Sequence, residues 1–243
     1  MDDLVKELQI RIQKLENEIN FKNGLISIMS HDSKEMFGNF LWIIEALDQK
    51  TISAEDFYKL LPHVKSDAEK NLRTVQDSTV WLKTQYGDFK IKPVRIKVMD
   101  LFRQLEEKYA KALKEKNINF FFNGDQSGIL TTDRLLLEFV LDKIFNNAIK
   151  YSFPGQEIYL QQAISSDKVI LSVIDLGTGI DQKYLSTIYS YDNPIFNGTA
   201  GEKGVGLSLK IVKNFISLMQ GTIDIISSEK GTTVSLFLPK FNE

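Results

Sequence analysis

The sequence predicts an α+β multidomain protein, with an N-terminal coiled coil and helical hairpin followed by an α/β sandwich. Three observations carry this expectation. Apolar side chains recur with a seven-residue period over the first thirty residues, a second amphipathic stretch follows a capping signal at 51–56, and strand-like and helix-like segments alternate after Tyr86, Gly87 and Asp88. The boundaries drawn from these changes are 1–24 for a coiled-coil helix, 25–88 for a hairpin and 89–243 for the sandwich. At about 100 to 200 residues per domain, 243 residues accommodate that division.

Val5, Ile12, Ile19 and Ile26 fall on one heptad position, and Leu8, Leu15, Lys22 and Met29 fall three residues later. Branched residues at a with leucine at d favour two parallel strands, so a homodimer is expected. The register continues through Ser33, Met36, Phe40, Ile43 and Leu47, which extends one helix to about Asp48 and puts His31 at f, away from the seam. Ser53, followed three residues later by Asp56, opens a second helix carrying Phe57, Leu60, Leu61, Val64, Leu72, Val75 and Leu82; Pro62 either kinks or restarts it. A lone hairpin buries little. Two copies related by the coiled-coil dyad make a dimeric four-helix bundle.

In the second half, 93–97 reads as a strand, 98–116 as a helix, 118–122 as a strand, 133–149 as a helix, and 158–164 and 169–175 as strands. A helix over 207–219 and a hairpin of strands 221–227 and 232–238 complete a layer of helices on one mixed sheet.

Composition narrows the chemistry. Thirty Lys plus Arg against 32 Asp plus Glu leave a net charge of −2, so no strong field favours nucleic acid or an anionic membrane. There is no Cys and only two His, His31 and His63, which removes thiolate sites and multi-histidine metal sites within one chain. No apolar run approaches the roughly 18 residues of a membrane span. A cytoplasmic setting without membrane contact in these residues is expected, either free or as the cytoplasmic portion of a membrane-bound protein.

Three clusters are rich in glycine or amide side chains: Asn146, Asn147, Ala148, Ile149, Lys150 and Tyr151 on a helix; Asp175, Gly177 and Gly179 after a strand; and Gly201, Lys203, Gly204 and Gly206 before a helix. Glycine-rich turns at helix starts expose backbone N–H groups that hold phosphate oxygens. Their spacing fits neither a Walker loop nor a dinucleotide fingerprint. In this order, with Ser30-His31-Asp32 ahead of them and Gly231-Thr232-Thr233 behind, the clusters resemble the nucleotide-binding boxes of the GHKL ATPases, and the whole chain resembles the core of a two-component sensor histidine kinase.

The resemblance implies specific roles. His31 would take the γ-phosphoryl group of ATP, and Asp32 would orient or deprotonate its imidazole. Asn147 would ligate Mg²⁺, Lys150 would contact phosphate, Tyr151 would lie by the adenine, and Asp175 would accept a hydrogen bond from the adenine amino group. Gly177 and Gly179 would allow close backbone approach, residues 182–203 would form a mobile lid, Lys203, Gly204, Gly206 and Leu207 would line the phosphates, and Thr233 would complete the site. The implied partners are a second copy and the receiver domain of a response regulator.

This chain also departs from the family pattern. Lys143 stands where an Asn is usual four residues before Asn147, which either weakens Mg²⁺ binding or neutralises phosphate charge directly. Ser33 replaces a hydrophobic residue, Met36 a proline, and Glu35 the Thr or Asn associated with dephosphorylating the partner, so weak or absent phosphatase activity is expected. The leading expectation is an ATP-dependent protein-histidine kinase. Its rivals are a degenerate kinase serving as a nucleotide-binding dimeric scaffold, and another GHKL ATPase driving a clamp.

Overall fold

The structure is a computed structural model that describes residues 2–85, 89–124, 128–189, 196–202 and 208–240; some side chains within the first two helices, including those of His31 and Asp32, also lie outside the description. The chain divides into two units, 1–89 and 90–243.

The first unit is a hairpin of α1 (Asp2–Asp48) and α2 (Ala54–Gln85). Ser53 caps α2 as its sequence signal predicts, accepting the Asp56 backbone N–H at 3.1 Å while its hydroxyl donates to the Asp56 carboxylate at 2.7 Å. Pro62 does not restart the helix, because α2 runs through it. The carbonyl that loses its partner belongs to Tyr58, a residue 69% exposed. Ile43, Ala46 and Trp81 form the buried seam, with Ser33 Oγ donating to Asn71 Oδ1 at 3.2 Å between the helices. In the single chain Val5, Leu8, Ile12, Leu15, Ile19 and Ile26 are all exposed.

The second unit begins with β1 (Pro93–Lys97), α3 (Val98–Glu115), β2 (Asn119–Gly124) and β3 (Ile129–Asp133). It continues through α4 (Arg134–Tyr151), β4 (Glu157–Ile164), β5 (Lys168–Asp175) and the single-turn α5 (Gln182–Leu185). Helix α6 (Ser208–Leu218) and the hairpin of β6 (Thr222–Ser228) and β7 (Gly231–Pro239) close it.

The expected single sheet is corrected to two. Strand β3 went unread in the sequence, and it pairs antiparallel with β1 as a separate ribbon, while the other strands form a mixed sheet in the order β2-β4-β5-β7-β6 with only β2 and β4 parallel. The short Ile-Leu-Thr-Thr run of β3 contains too little alternation to announce a strand, and only its partner β1 supplies the ladder.

Alternation fixes which face the helices cover. Ile158 and Leu160 of β4, Val169, Leu171 and Val173 of β5, and Leu236 and Leu238 of β7 are all 2% exposed or less. Against them lie Leu137, Val140, Leu141, Ile144 and Phe145 of α4 and Ile211, Val212, Phe215 and Ile216 of α6. Asp133 caps α4 by accepting the Leu136 amide, and its other oxygen accepts the Lys92 amide at 2.9 Å, which ties the start of the unit to the helix. The in-phase continuation of the buried face of β5 reaches Asp175. This positions a carboxylate at the sheet end, on the helix side.

Candidate functional site

Helix α4 presents Lys143, Asn147, Lys150 and Tyr151 at spacings of three and four residues, which places them along one stripe. Asn147 is half-buried, and its side chain has no protein partner among the described residues. Lys143 is held over the Phe139 ring at 5.1 Å and lies 3.8 Å from the Asp142 carboxylate. Among the described residues no group of three or more His, Cys, Asp or Glu side chains could hold a metal ion. A hard cation at Asn147 therefore fits only with phosphate and water oxygens filling its remaining positions, which is the usual habit of Mg²⁺.

Asp175 is the second pole of the site. Its Oδ1 accepts the amides of Gly177 at 2.9 Å and Thr232 at 3.2 Å, while Oδ2 has no protein partner among the described residues. Burial pushes its pKa up to about 6, against the opposing pull of the two amides. Glycine is required next to it. A Cβ on Gly177 would come within 2.3 Å of the Tyr151 carbonyl, and Gly179, at φ +66°, would bring one within 1.8 Å of the Ser228 carbonyl.

The β5–β7 register separates Thr233 from its neighbour. Thr233 lies opposite Ile174, out of phase with Asp175, so it belongs to the other face of the sheet. Thr232 lies opposite Asp175: its amide bonds Asp175, and its hydroxyl lies 2.8 Å from Ser227 Oγ, which in turn accepts the Ile180 amide at 2.8 Å. Two adjacent threonines read alike in sequence, and only strand pairing separates them.

A turn within the expected lid segment packs against the end of α4. Lys150 Nζ and Tyr151 Oη both donate to the Phe196 carbonyl at 3.2 Å, and the Lys150 ammonium sits 4.8 Å from the centre of the Tyr151 ring. Burial, then the nearby Glu202 charge, pushes the Tyr151 hydroxyl pKa up. Lys116, at the end of α3 and 7% exposed, donates to the carbonyls of Ile149 and Lys150 and to Thr199 Oγ1, each at 2.9 Å, and pairs with Glu202 at 2.6 Å. Burial alone would raise the Glu202 carboxyl, but Lys116 and the amide bonds outweigh it and hold the group below its usual range. Glu202 lies inside a glycine cluster that sequence reading had marked; nothing in the sequence distinguishes Lys116 from the other lysines of α3.

Of the other expected residues, Lys203, Gly204, Gly206 and Leu207 lie outside the described residues, as do the side chains of His31 and Asp32, whose backbones belong to α1. The expected lid contains α5 and the described segment 196–202, while 190–195 lie outside. No helix among the described residues is long and apolar enough to cross a membrane.

Residues 132–242 match the family described as histidine kinase-, DNA gyrase B-, and HSP90-like ATPase. Over 98% of its length the chain is 27% identical to 29% of the autoinducer 2 sensor kinase/phosphatase LuxQ of Vibrio vulnificus. It is 24% identical to the sensor histidine kinase YclK of Bacillus subtilis, with 97% of the chain and 50% of that protein covered. The chain thus spans half or less of these relatives. Its fold is shared with the Acinetobacter baumannii histidine kinase AdeS, at TM-score 0.69 and 17% identity, over 87% of this chain and 98% of that one. The same holds for the histidine kinase ThkA in complex with the response regulator TrrA, at TM-score 0.69 and 18% identity over 98% of this chain and 66% of that one.

Proposed function

We infer that this chain, a two-component histidine kinase core whose residues 132–242 belong to the histidine kinase-, DNA gyrase B-, and HSP90-like ATPase family, transfers the γ-phosphoryl group of ATP to His31 and relays it to an aspartate of a response-regulator receiver domain. The observation that carries this reading is a pair of acceptors with no protein partner among the described residues, the Asn147 side chain on α4 and Oδ2 of Asp175 at the end of β5. Oδ2 suits an exocyclic amino group. The carbonyl oxygen of Asn147 suits a hard cation.

An imidazole nitrogen of His31 attacks the γ-phosphorus, the bond from phosphorus to the bridging oxygen breaks, and ADP leaves with that oxygen. Asp32 orients the ring and takes its proton. Lys150 holds phosphate, and Tyr151 borders the base. Asn147 would hold a Mg²⁺ ion through its side-chain oxygen, and that ion would supply charge neutralisation for the phosphates. The phosphoramidate then yields its phosphoryl group to a receiver carboxylate. The homodimer reading is supported by the heptad residues of α1 left exposed in the single chain, which a parallel coiled coil and four-helix bundle would cover.

Incubation with radiolabelled ATP and Mg²⁺ tests the reading. Acid-labile label is expected on the wild type and none on His31→Ala; label persisting on the variant would overturn it. A scaffold reading is favoured by one feature, the cation at Lys143 beside the metal-binding stripe. It is supported if an ATP analogue binds without autophosphorylation, even in Lys143→Asn.

A further inference from the structure

We propose that Lys116 and Glu202 form a positioning latch that holds the phosphate-side turn of the nucleotide site against the end of α4, and so sets the affinity for the phosphate chain. This rests on the nucleotide reading above and names residues that the family resemblance did not assign.

The latch is built from a buried cation. The Lys116 ammonium, its side chain 9% exposed, lies at the C-terminal end of α4, where the carbonyls of Ile149 and Lys150 have no helical N–H to accept and the helix dipole favours positive charge. Capping those carbonyls accounts for part of its hydrogen-bonding capacity. The remainder goes to the turn at 198–202, through Thr199 Oγ1 at 2.9 Å and the Glu202 carboxylate at 2.6 Å. The two oxygens of Glu202 divide their work, one on Lys116 and the other on the Ala200 amide at 2.8 Å. The turn is closed by Gly198 donating to the Glu202 carbonyl at 2.8 Å, and it is pinned to α4 by the Thr199 amide on the Lys150 carbonyl at 3.0 Å. Gly198 is obligatory here, because a Cβ would sit 2.3 Å from the Glu202 carboxylate and 2.7 Å from the Lys150 carbonyl.

Two consequences follow from this geometry. The turn is bonded to the Lys150 backbone through the Thr199 amide, and the Lys150 ammonium, the group expected at the phosphates, is held at 3.2 Å by the Phe196 carbonyl two residues before the turn, so the latch bears on the phosphate end of the site. Asp175 with Thr232 makes no bond to Lys116 or Glu202 among the described residues, whereas Tyr151, expected by the adenine, is bonded to the Phe196 carbonyl just before the turn, so the latch acts mainly on the phosphate end. A charge-assisted pair whose cation is buried is strong enough to order such a turn, and removing Glu202 leaves the Lys116 charge without its carboxylate.

The test compares Lys116→Met and Glu202→Gln with the wild type of the full chain, titrated with the ATP analogue AMPPNP plus Mg²⁺ and separately with adenosine, and followed by amide hydrogen exchange. Each variant is expected to bind AMPPNP about tenfold more weakly and adenosine as well as the wild type does, and the double variant to be no worse than the weaker single. The amides of Gly198, Thr199 and Ala200 should exchange faster while those of β5 and β7 do not. The Glu202 side chain is 37% exposed, so Glu202→Gln remains informative if Lys116→Met fails to fold. Unchanged AMPPNP affinity in folded Glu202→Gln, or an equal loss for both ligands, would overturn the latch. Failure of the wild type to bind either ligand would bring down the nucleotide reading itself.

Discussion

Thr232 donates its backbone N–H to the Asp175 carboxylate at 3.2 Å across the β5–β7 ladder, and with the Gly177 amide it commits Oδ1 to the protein. Any proton that Asp175 takes up therefore goes to Oδ2, the oxygen that faces no protein donor among the described residues. The ladder thus decides which oxygen a ligand meets.

A pH dependence follows for both stability and binding. With a folded pKa of about 6 against an ordinary 3.8, the native chain holds more protons than the unfolded chain between those values, so this group's contribution to stability falls as pH rises through the window. Relative to Asp175→Asn, wild-type unfolding free energy should drop by about 2 kcal/mol from pH 4 to 7, read by denaturant titration. In the variant the amide oxygen replaces Oδ1 on the two N–H groups, and the NH₂ faces the ligand. AMPPNP binding should weaken by about 1–3 kcal/mol, and the ratio of wild-type to variant affinity should grow as pH rises through about 6. A flat ratio would exclude Oδ2 as the acceptor.

Adjacent threonines should behave differently. Thr232→Ala removes the hydroxyl from Ser227, which also holds the Ile180 amide beside Gly179, and is expected to cost about 1 kcal/mol of stability and weaken nucleotide binding several-fold. Thr233→Ala, on the opposite face, should stay within about 0.5 kcal/mol and bind normally. Calorimetric melting and AMPPNP titration of the pair would settle which threonine serves the site.

The exposed heptad residues predict association. Ile12 is 54% and Leu15 51% exposed in the single chain, and burying each in a seam contributes about 1.5–3 kcal/mol. Sedimentation equilibrium should give twice the 27.8 kDa chain mass, and Ile12→Asp with Leu15→Asp should shift the balance towards monomer. A wild-type monomer at micromolar concentration would leave the seam without a partner and refute the coiled coil.

Periodicity and spacing were sufficient for what is local. The length of α1, the Ser53 cap on α2, the helix that carries Asn147, the strand that ends on Asp175 and the glycines that follow it were all legible, because each depends on neighbours a few residues away. Tertiary structure decided what depends on pairing between distant segments. The β1–β3 ribbon needed its partner strand to exist at all, and register alone puts Thr232 rather than Thr233 opposite Asp175, since one step along a strand reverses the face. Lys116 became part of the site only when folding brought the end of α3 against the last carbonyls of α4 and the carboxylate of Glu202, contacts between residues more than thirty positions apart that no local pattern encodes.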